Sequence, residues 1–144
     1  HIHERRRPLE KRGEKLIVRL AKQDDGAVIN RLIQTDWNMD GLDWTDVRGW
    51  LVCEYLGAVV GCLEAMPGKP FGRLEFLGVE PGLPSRLKAR VVRVLLQQGV
   101  VILKVFGSQA ISGIIPFSMK SYLSFLQRRG AVSIGGGTIV LGRI

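Results

Sequence analysis

Cysteine, aromatic residues and long apolar runs are all scarce in this chain, and each scarcity removes a class of protein. Only Cys53 and Cys62 occur, both inside apolar, strand-like stretches. Two buried thiols in a reducing, cytoplasmic compartment are therefore expected rather than a disulfide scaffold. Neither has a histidine or second cysteine at metal-ligand spacing, so no metal site is expected. The longest mainly apolar stretch, residues 91–106, is interrupted by Arg93, Gln97, Gln98, Gly99 and Lys104, which argues against a membrane span. A secretory signal is not visible, because the N-terminus is charged and has no apolar h-region. The chain opens on His1, so the question of an upstream targeting segment stays open.

What remains is globular. At 144 residues with 46% hydrophobic and 24% charged positions, the chain is long enough for one domain with a real core and too short for two comfortable ones. The formal charge is +8, and Arg5, Arg6, Arg7, Lys11, Arg12 and Lys15 crowd residues 1–15. Such an arm suits contact with a polyanion or a protein partner, and it equally suits a solvated terminus. Nucleic-acid recognition has no accompanying motif, and aromatics amount to only 7%.

Along the chain, residues 16–20 (LIVRL) read as a strand. Asp24 or Asp25 then caps a helix over about 26–34, with Ala27, Val28, Leu32 and Ile33 as its apolar stripe. Residues 35–48 hold Asp36, Asp40, Asp43 and Asp46 together with Trp37 and Trp44, the one acidic patch of a basic protein. Residues 49–55 and 58–66 form a hairpin about Leu56-Gly57, Pro67, Gly68 and Pro70 make a second turn, and 73–79 add a third strand. A long helix follows Pro84. On it Arg86, Arg90, Arg93, Gln97 and Lys104 share one direction, and Gly107 is its stop. Gly99 opposes a continuous helix there, at about 1 kcal/mol relative to alanine. A strand over 110–115 follows. Ser118 caps a helix over 119–129 whose apolar face is Tyr122, Phe125 and Leu126, with Gly130 as its stop. Gly135, Gly136 and Gly137 separate two closing strands, 131–134 and 138–143.

Strand, helices, three-strand meander, long helix, strand, helix and hairpin is an order that resembles the GNAT N-acetyltransferases, over about residues 16–144. The run Leu74-Glu75-Phe76-Leu77-Gly78-Val79-Glu80-Pro81 is similar to that family's central strand and its Val-x-Pro exit, and residues 118–131 are similar to its later helix. The resemblance implies the GNAT fold, an α/β architecture with a mixed, mainly antiparallel sheet flanked by helices. Residues 16–144 are expected to be one such domain behind the basic arm of residues 1–15.

The resemblance also implies acetyl transfer from acetyl-CoA to a primary amine of a small molecule or protein. In the family, the loop before the long helix cradles the pyrophosphate and reads Arg/Gln-x-x-Gly-x-Gly/Ala. Here it corresponds to Pro84-Ser85-Arg86-Leu87-Lys88-Ala89, with Pro84 and Leu87 departing from the pattern and Ala89 fitting it. By that correspondence Ser85, Arg86, Leu87, Lys88, Ala89 and Arg90 contact the cofactor, and the charges of Arg86, Lys88 and Arg90 offset the lost glycine. Leu77, Gly78 and Val79 lie along its acyl end, where backbone N–H groups hold the thioester carbonyl, and Ser118 stands where the family often has asparagine. Glu75, ahead of Glu80, is the implied base, although a charge pairing with Arg73 explains it as well. Tyr122 is the implied acid, although its place on an apolar helix face also suits a core residue. Asp36, Trp37, Asp40 and Trp44 fall where the family shapes its acceptor pocket, by ion pairing and cation–π contact. The altered loop leaves a second expectation: an inactive GNAT-fold binding or assembly protein that reaches nucleic acid or a partner through its arm.

Overall fold

Why the chain folds back on itself so regularly is visible at its turns. The computed structural model describes residues 15–37, 46–114, 120–134 and 139–143. Strand β1 (Leu16–Leu20) pairs antiparallel with β2 (Trp50–Tyr55), and β2 with β3 (Ala58–Met66). Leu56 and Gly57 between them have φ of 52° and 78°, the doubly positive pattern whose twist matches a tight hairpin. β3 pairs antiparallel with β4 (Phe71–Val79). The turn before β4 is pinned by buried Ser108, whose hydroxyl donates to the Gly68 carbonyl at 2.7 Å and accepts the Gly68 N–H at 3.2 Å.

The connection out of β4 is helix α2 (Ser85–Val105), which returns the chain to β5 (Ala110–Ile114), parallel to β4. β5 then pairs antiparallel with β7 (Ile139–Arg143), and β6 (Val132–Ile134) closes the edge. The sheet has seven strands in the order β1-β2-β3-β4-β5-β7-β6. Between β1 and β5 the chain also supplies α1 (Gly26–Trp37), entered through a 3₁₀ turn at Gln23–Asp25, and between β5 and β6 it supplies α3 (Lys120–Gln127).

Alternation along the strands builds a core on each face. Leu51, Cys53, Val60, Leu63, Ala65, Leu74 and Leu77 meet Val91, Leu95 and Leu103 of α2, while Trp50, Val52 and Cys62 meet Ile29, Leu32 and Ile33 of α1. The two thiols are buried and free on opposite faces, and burial pushes the Cys53 thiol up to about 11. The continuous long helix is present despite Gly99, and its packing gives the reason. A Cβ on Gly99 would stand 2.8 Å from Leu74 Cδ2 and 3.1 Å from Leu63 Cδ2. Glycine lets the helix approach the sheet closely.

Three expectations change in detail. α1 runs on to Trp37 rather than stopping near residue 34. Asp25 does not cap α1 from in front. Its carboxylate accepts the Lys22 N–H at 2.7 Å and pairs with Arg19 at 2.7 Å, fastening the entry turn to β1. The later helix is shorter than 119–129, ending at Gln127 ahead of Gly130 at φ 92°. The basic arm lies outside the described residues, apart from Lys15. Among the described residues no helix is long and apolar enough to cross a membrane.

Candidate active site where β4 and β5 part

β4 and β5 share a ladder only at Phe71–Ala110, Gly72–Ile111 and Arg73–Ser112. They stay in touch as far as Gly113, where a Cβ would stand 2.6 Å from the Leu74 carbonyl oxygen. Beyond that point β4 continues along β3 to Val79, and β5 continues along β7. The parting opens the sheet beside the second half of β4.

That half of β4 is irregular. Cys62 pairs with Gly78 and Glu64 with Glu75, so β4 carries one residue more than β3 between these pairs. The extra residue is absorbed at Phe76, a non-glycine at φ 55°. A side chain in this region costs about 1–2 kcal/mol and persists only where its surroundings fix it. Here the Phe76 ring stacks on Trp50, with centroids 6.0 Å apart, and its carbonyl accepts a hydrogen bond from the Cys62 thiol at 3.8 Å.

The bulge sets a row across three strands on the α1 face: Trp50 opposite Glu64, and Glu64 opposite Glu75. Glu64 lies between Leu63 and Ala65, and Glu75 follows Leu74, all residues of the α2-side core, so alternation turns both carboxylates to the α1 side. Burial, and then the neighbouring Glu75, push the Glu64 carboxyl above its ordinary value. The Glu75 side chain is only 12% exposed, and its contact with Arg73 is a loose 3.8 Å. The charge pairing foreseen for Glu75 is therefore present but weak. Glu80 is differently placed, because Arg31 of α1 grips it at 2.7 and 3.1 Å and lowers its pKa. It fastens α1 to the exit of β4.

Of the cofactor residues expected on β4, Leu77 has its side chain in the α2-side core. Gly78 lies under α1, where a Cβ would meet Leu32 Cβ at 3.0 Å and Cys62 Sγ at 3.1 Å. Val79 pairs with Gly61. At the head of α2, Pro84 is the N-cap and makes no side-chain cap bond. The Lys88 N–H donates to the Pro84 carbonyl at 2.9 Å, so the amides of Ser85, Arg86 and Leu87 precede the first helical bond. Ser85, Arg86, Ala89 and Arg90 are exposed there, and Leu87 and Lys88 are half-buried.

Tyr122, on α3, packs against the α2-side core, and burial raises its phenol pKa above the ordinary value. The core reading and the acid reading of this residue thus share one position. Asp36 and Trp37 fall in the last turn of α1, with side chains outside the described residues, and Asp40, Trp44 and Ser118 lie outside them altogether. Asp46, at the edge of the acidic patch, is exposed and held at about 2 by Arg48. Among the described residues no cluster of His, Cys, Asp or Glu could hold a metal.

Glu64 was not foreseen. Its sequence signal is a lone carboxylate in an apolar strand, and its pairing with Glu75 depends on a bulge that the residue pattern does not announce.

No protein-family model matches the chain, and no curated protein matches it by sequence. Solved structures do. It is similar to Rv2747 from Mycobacterium tuberculosis in complex with CoA and NLQ, at TM-score 0.68 and 20% identity, over 83% of this chain and 74% of that one. It is similar to the N-acetylglutamate synthase of Neisseria gonorrhoeae complexed with coenzyme A and L-arginine, at TM-score 0.68 and 14% identity, over 90% of this chain but 33% of the synthase. An acetyltransferase of the GNAT family from Streptococcus pneumoniae matches at TM-score 0.68 and 12% identity, over 90% and 99%.

Proposed function

We propose that this chain, whose fold is that of the GNAT acetyltransferases, transfers an acetyl group from acetyl-CoA to a primary amine. The observation that carries the reading is the parting of β4 from β5 beside the Phe76 bulge, with a carboxylate pair on one face and a desolvated tyrosine on the other.

The residues at the head of α2 fit a pyrophosphate in spite of Pro84 and Leu87. The amides of Ser85, Arg86 and Leu87 lie at the positive end of the helix, and exposed Arg86 and Arg90, with Lys88, supply charge. Acetyl-CoA supplies the thioester carbon that an amine attacks. The chain's own part is to place that carbon and to manage two protons. Leu77, Gly78 and Val79 bring the β4 backbone alongside the acyl end, and Ser118 contributes from the approach to α3. Glu75, opposite Glu64 across the β3–β4 pair, takes a proton from the ammonium on the α1 face. Tyr122 retains its proton on the opposite face and gives it to the leaving sulfur. Asp36 and Trp37 at the end of α1, and Asp40 and Trp44 after it in sequence, receive the cationic acceptor.

The test has two stages. Acetyl-CoA at about 100 times its Kd stabilises the folded chain by about 2.7 kcal/mol, which appears as a concentration-dependent rise in Tm. Mass spectrometry of a panel of small amines and N-terminal peptides then identifies the acetylated product. No Tm shift at millimolar acetyl-CoA would overturn the reading.

A further inference from the structure

All thirteen Asp and Glu residues lie at or before Glu80. Residues 1–80 also hold twelve Lys and Arg, so that part of the chain is close to neutral; residues 81–144 hold nine Lys and Arg and no acidic side chain. The whole excess of positive charge therefore belongs to the part of the chain that begins with α2. The structure treats the arginines before Glu80 differently from the cations of α2. Among the described residues, each arginine before Glu80 meets a carboxylate: Arg19 with Asp25 and Glu54, Arg31 with Glu80, Arg48 with Asp46, and Arg73 with Glu75. Arg86, Arg90, Arg93 and Lys104 of α2 have no such partner there.

Their placement is regular. α2 turns Val91, Leu95, Gly99 and Leu103 into the sheet. At about 100° per residue, Arg86, Arg90, Arg93, Gln97 and Lys104 fall on the opposite side, and all five are exposed. This crest faces away from the sheet and hence from the parting of β4 and β5. From Arg86 to Lys104 it spans about 27 Å, well beyond what a pyrophosphate at the helix head would occupy. Like charges at i,i+3 and i,i+4 weaken a helix by a few tenths of a kcal/mol per pair, and nothing in the described fold offsets that loss.

We propose that the α2 crest is a docking surface for the phosphate backbone of nucleic acid. From Arg86 to Gln97 its outward positions are cationic or amide side chains with no apolar anchor between them. Protein interfaces are centred on apolar and aromatic residues, whereas nucleic-acid interfaces are polar and strongly positive. Three of its four charges are arginines, whose planar guanidinium suits phosphate oxygens. Val101, exposed between Gln97 and Lys104, borders the crest as a single apolar position, whereas exposed Val105 and Phe106 lie off it. Arg86 and Arg90 are shared with the proposed pyrophosphate site, whereas Arg93, Gln97 and Lys104 lie beyond it, so the test substitutes Arg93 and Lys104.

The test is fluorescence anisotropy of a labelled 20-base-pair duplex with the full chain between 50 and 200 mM salt. Four phosphate contacts predict about a 150-fold loss of affinity across that range, and R93Q/K104Q, with two contacts left, about a 12-fold loss. R5Q/R6Q/R7Q in the full chain is expected to keep the steep dependence. Circular dichroism confirms that each variant is folded. The proposal is overturned if the duplex does not bind, if the arm variant loses the salt dependence while R93Q/K104Q keeps it, or if phosphatidylserine vesicles bind in place of the duplex.

Discussion

Replacing Gly99 by alanine sets two effects of known size against each other. In an exposed helix the change gains about 1 kcal/mol, because glycine loses more backbone freedom on folding. Here the new methyl would lie 2.8 Å from Leu74 Cδ2 and 3.1 Å from Leu63 Cδ2, and the first contact is closer than carbon atoms tolerate. Both leucines are buried, at 7% and 0% exposure, and cannot swing into solvent. Relief therefore requires α2 to lift off the sheet or a leucine to leave its rotamer, at about 1–3 kcal/mol. The net expectation for G99A is a loss of about 1 kcal/mol, or roughly 3 °C in Tm for a chain of this size. A double-mutant cycle isolates the cause. L74V removes the atom in the way and by itself costs about 1 kcal/mol, yet in combination the two changes should cost less than their sum by at least 0.5 kcal/mol. Urea denaturation at constant m-value measures all three variants. A G99A protein more stable than wild type by the full helix-propensity gain would refute the close approach of α2 to β3 and β4.

Further outcomes follow from charge and site geometry. Glu64 has its folded pKa raised above 4.5, so its contribution to stability is present below that value and is lost as pH rises through the folded pKa. E64Q should thus be more stable than wild type at pH 7, with the difference vanishing near pH 4, as read from urea midpoints. Asp25 has its pKa lowered, first by the Arg19 hydrogen bond, so the sign reverses and its contribution fades as pH falls below the usual aspartate range. D25N should cost about 2 kcal/mol at pH 7, since it weakens a charged bond to Arg19 as well as the bond from the Lys22 N–H, and much less at pH 2. If Tyr122 is the proton donor, Y122F lowers kcat about 100-fold and leaves the acetyl-CoA-induced Tm shift in place. An equal loss of kcat and of that shift would assign the residue to packing alone.

Much of the architecture was legible because it is written in local chemistry. Leu56-Gly57 marks the hairpin, Pro84 and Gly107 bracket α2, and Gly130 ends the turn after α3, each through backbone preferences that need no tertiary context. What escaped notice depends on partners distant in sequence. Gly99 looked like a fault in a helix until Leu63 and Leu74 were seen to press against it. Asp25 looked like a cap, yet its carboxylate belongs to Arg19 of the preceding strand. Glu64 gained meaning only from register. A bulge of one residue at Phe76 brings it opposite Glu75, and residue patterns alone do not locate such a bulge.

The short β4–β5 ladder also bears on the order in which the chain assembles. β2, β3 and β4 follow one another through tight turns, so their contacts close short loops and carry little entropic penalty. Joining Arg73 to Ser112 closes a loop that contains all of α2, and the reward is a ladder of only three residue pairs. The meander should therefore form in the folding nucleus, and the β5-β7-β6 segment should dock on it afterwards. In chevron measurements, V52A is then expected to slow folding, whereas I111V mainly speeds unfolding. The seam proposed to admit a ligand in the finished protein is, on this account, the last seam to close while it is being made.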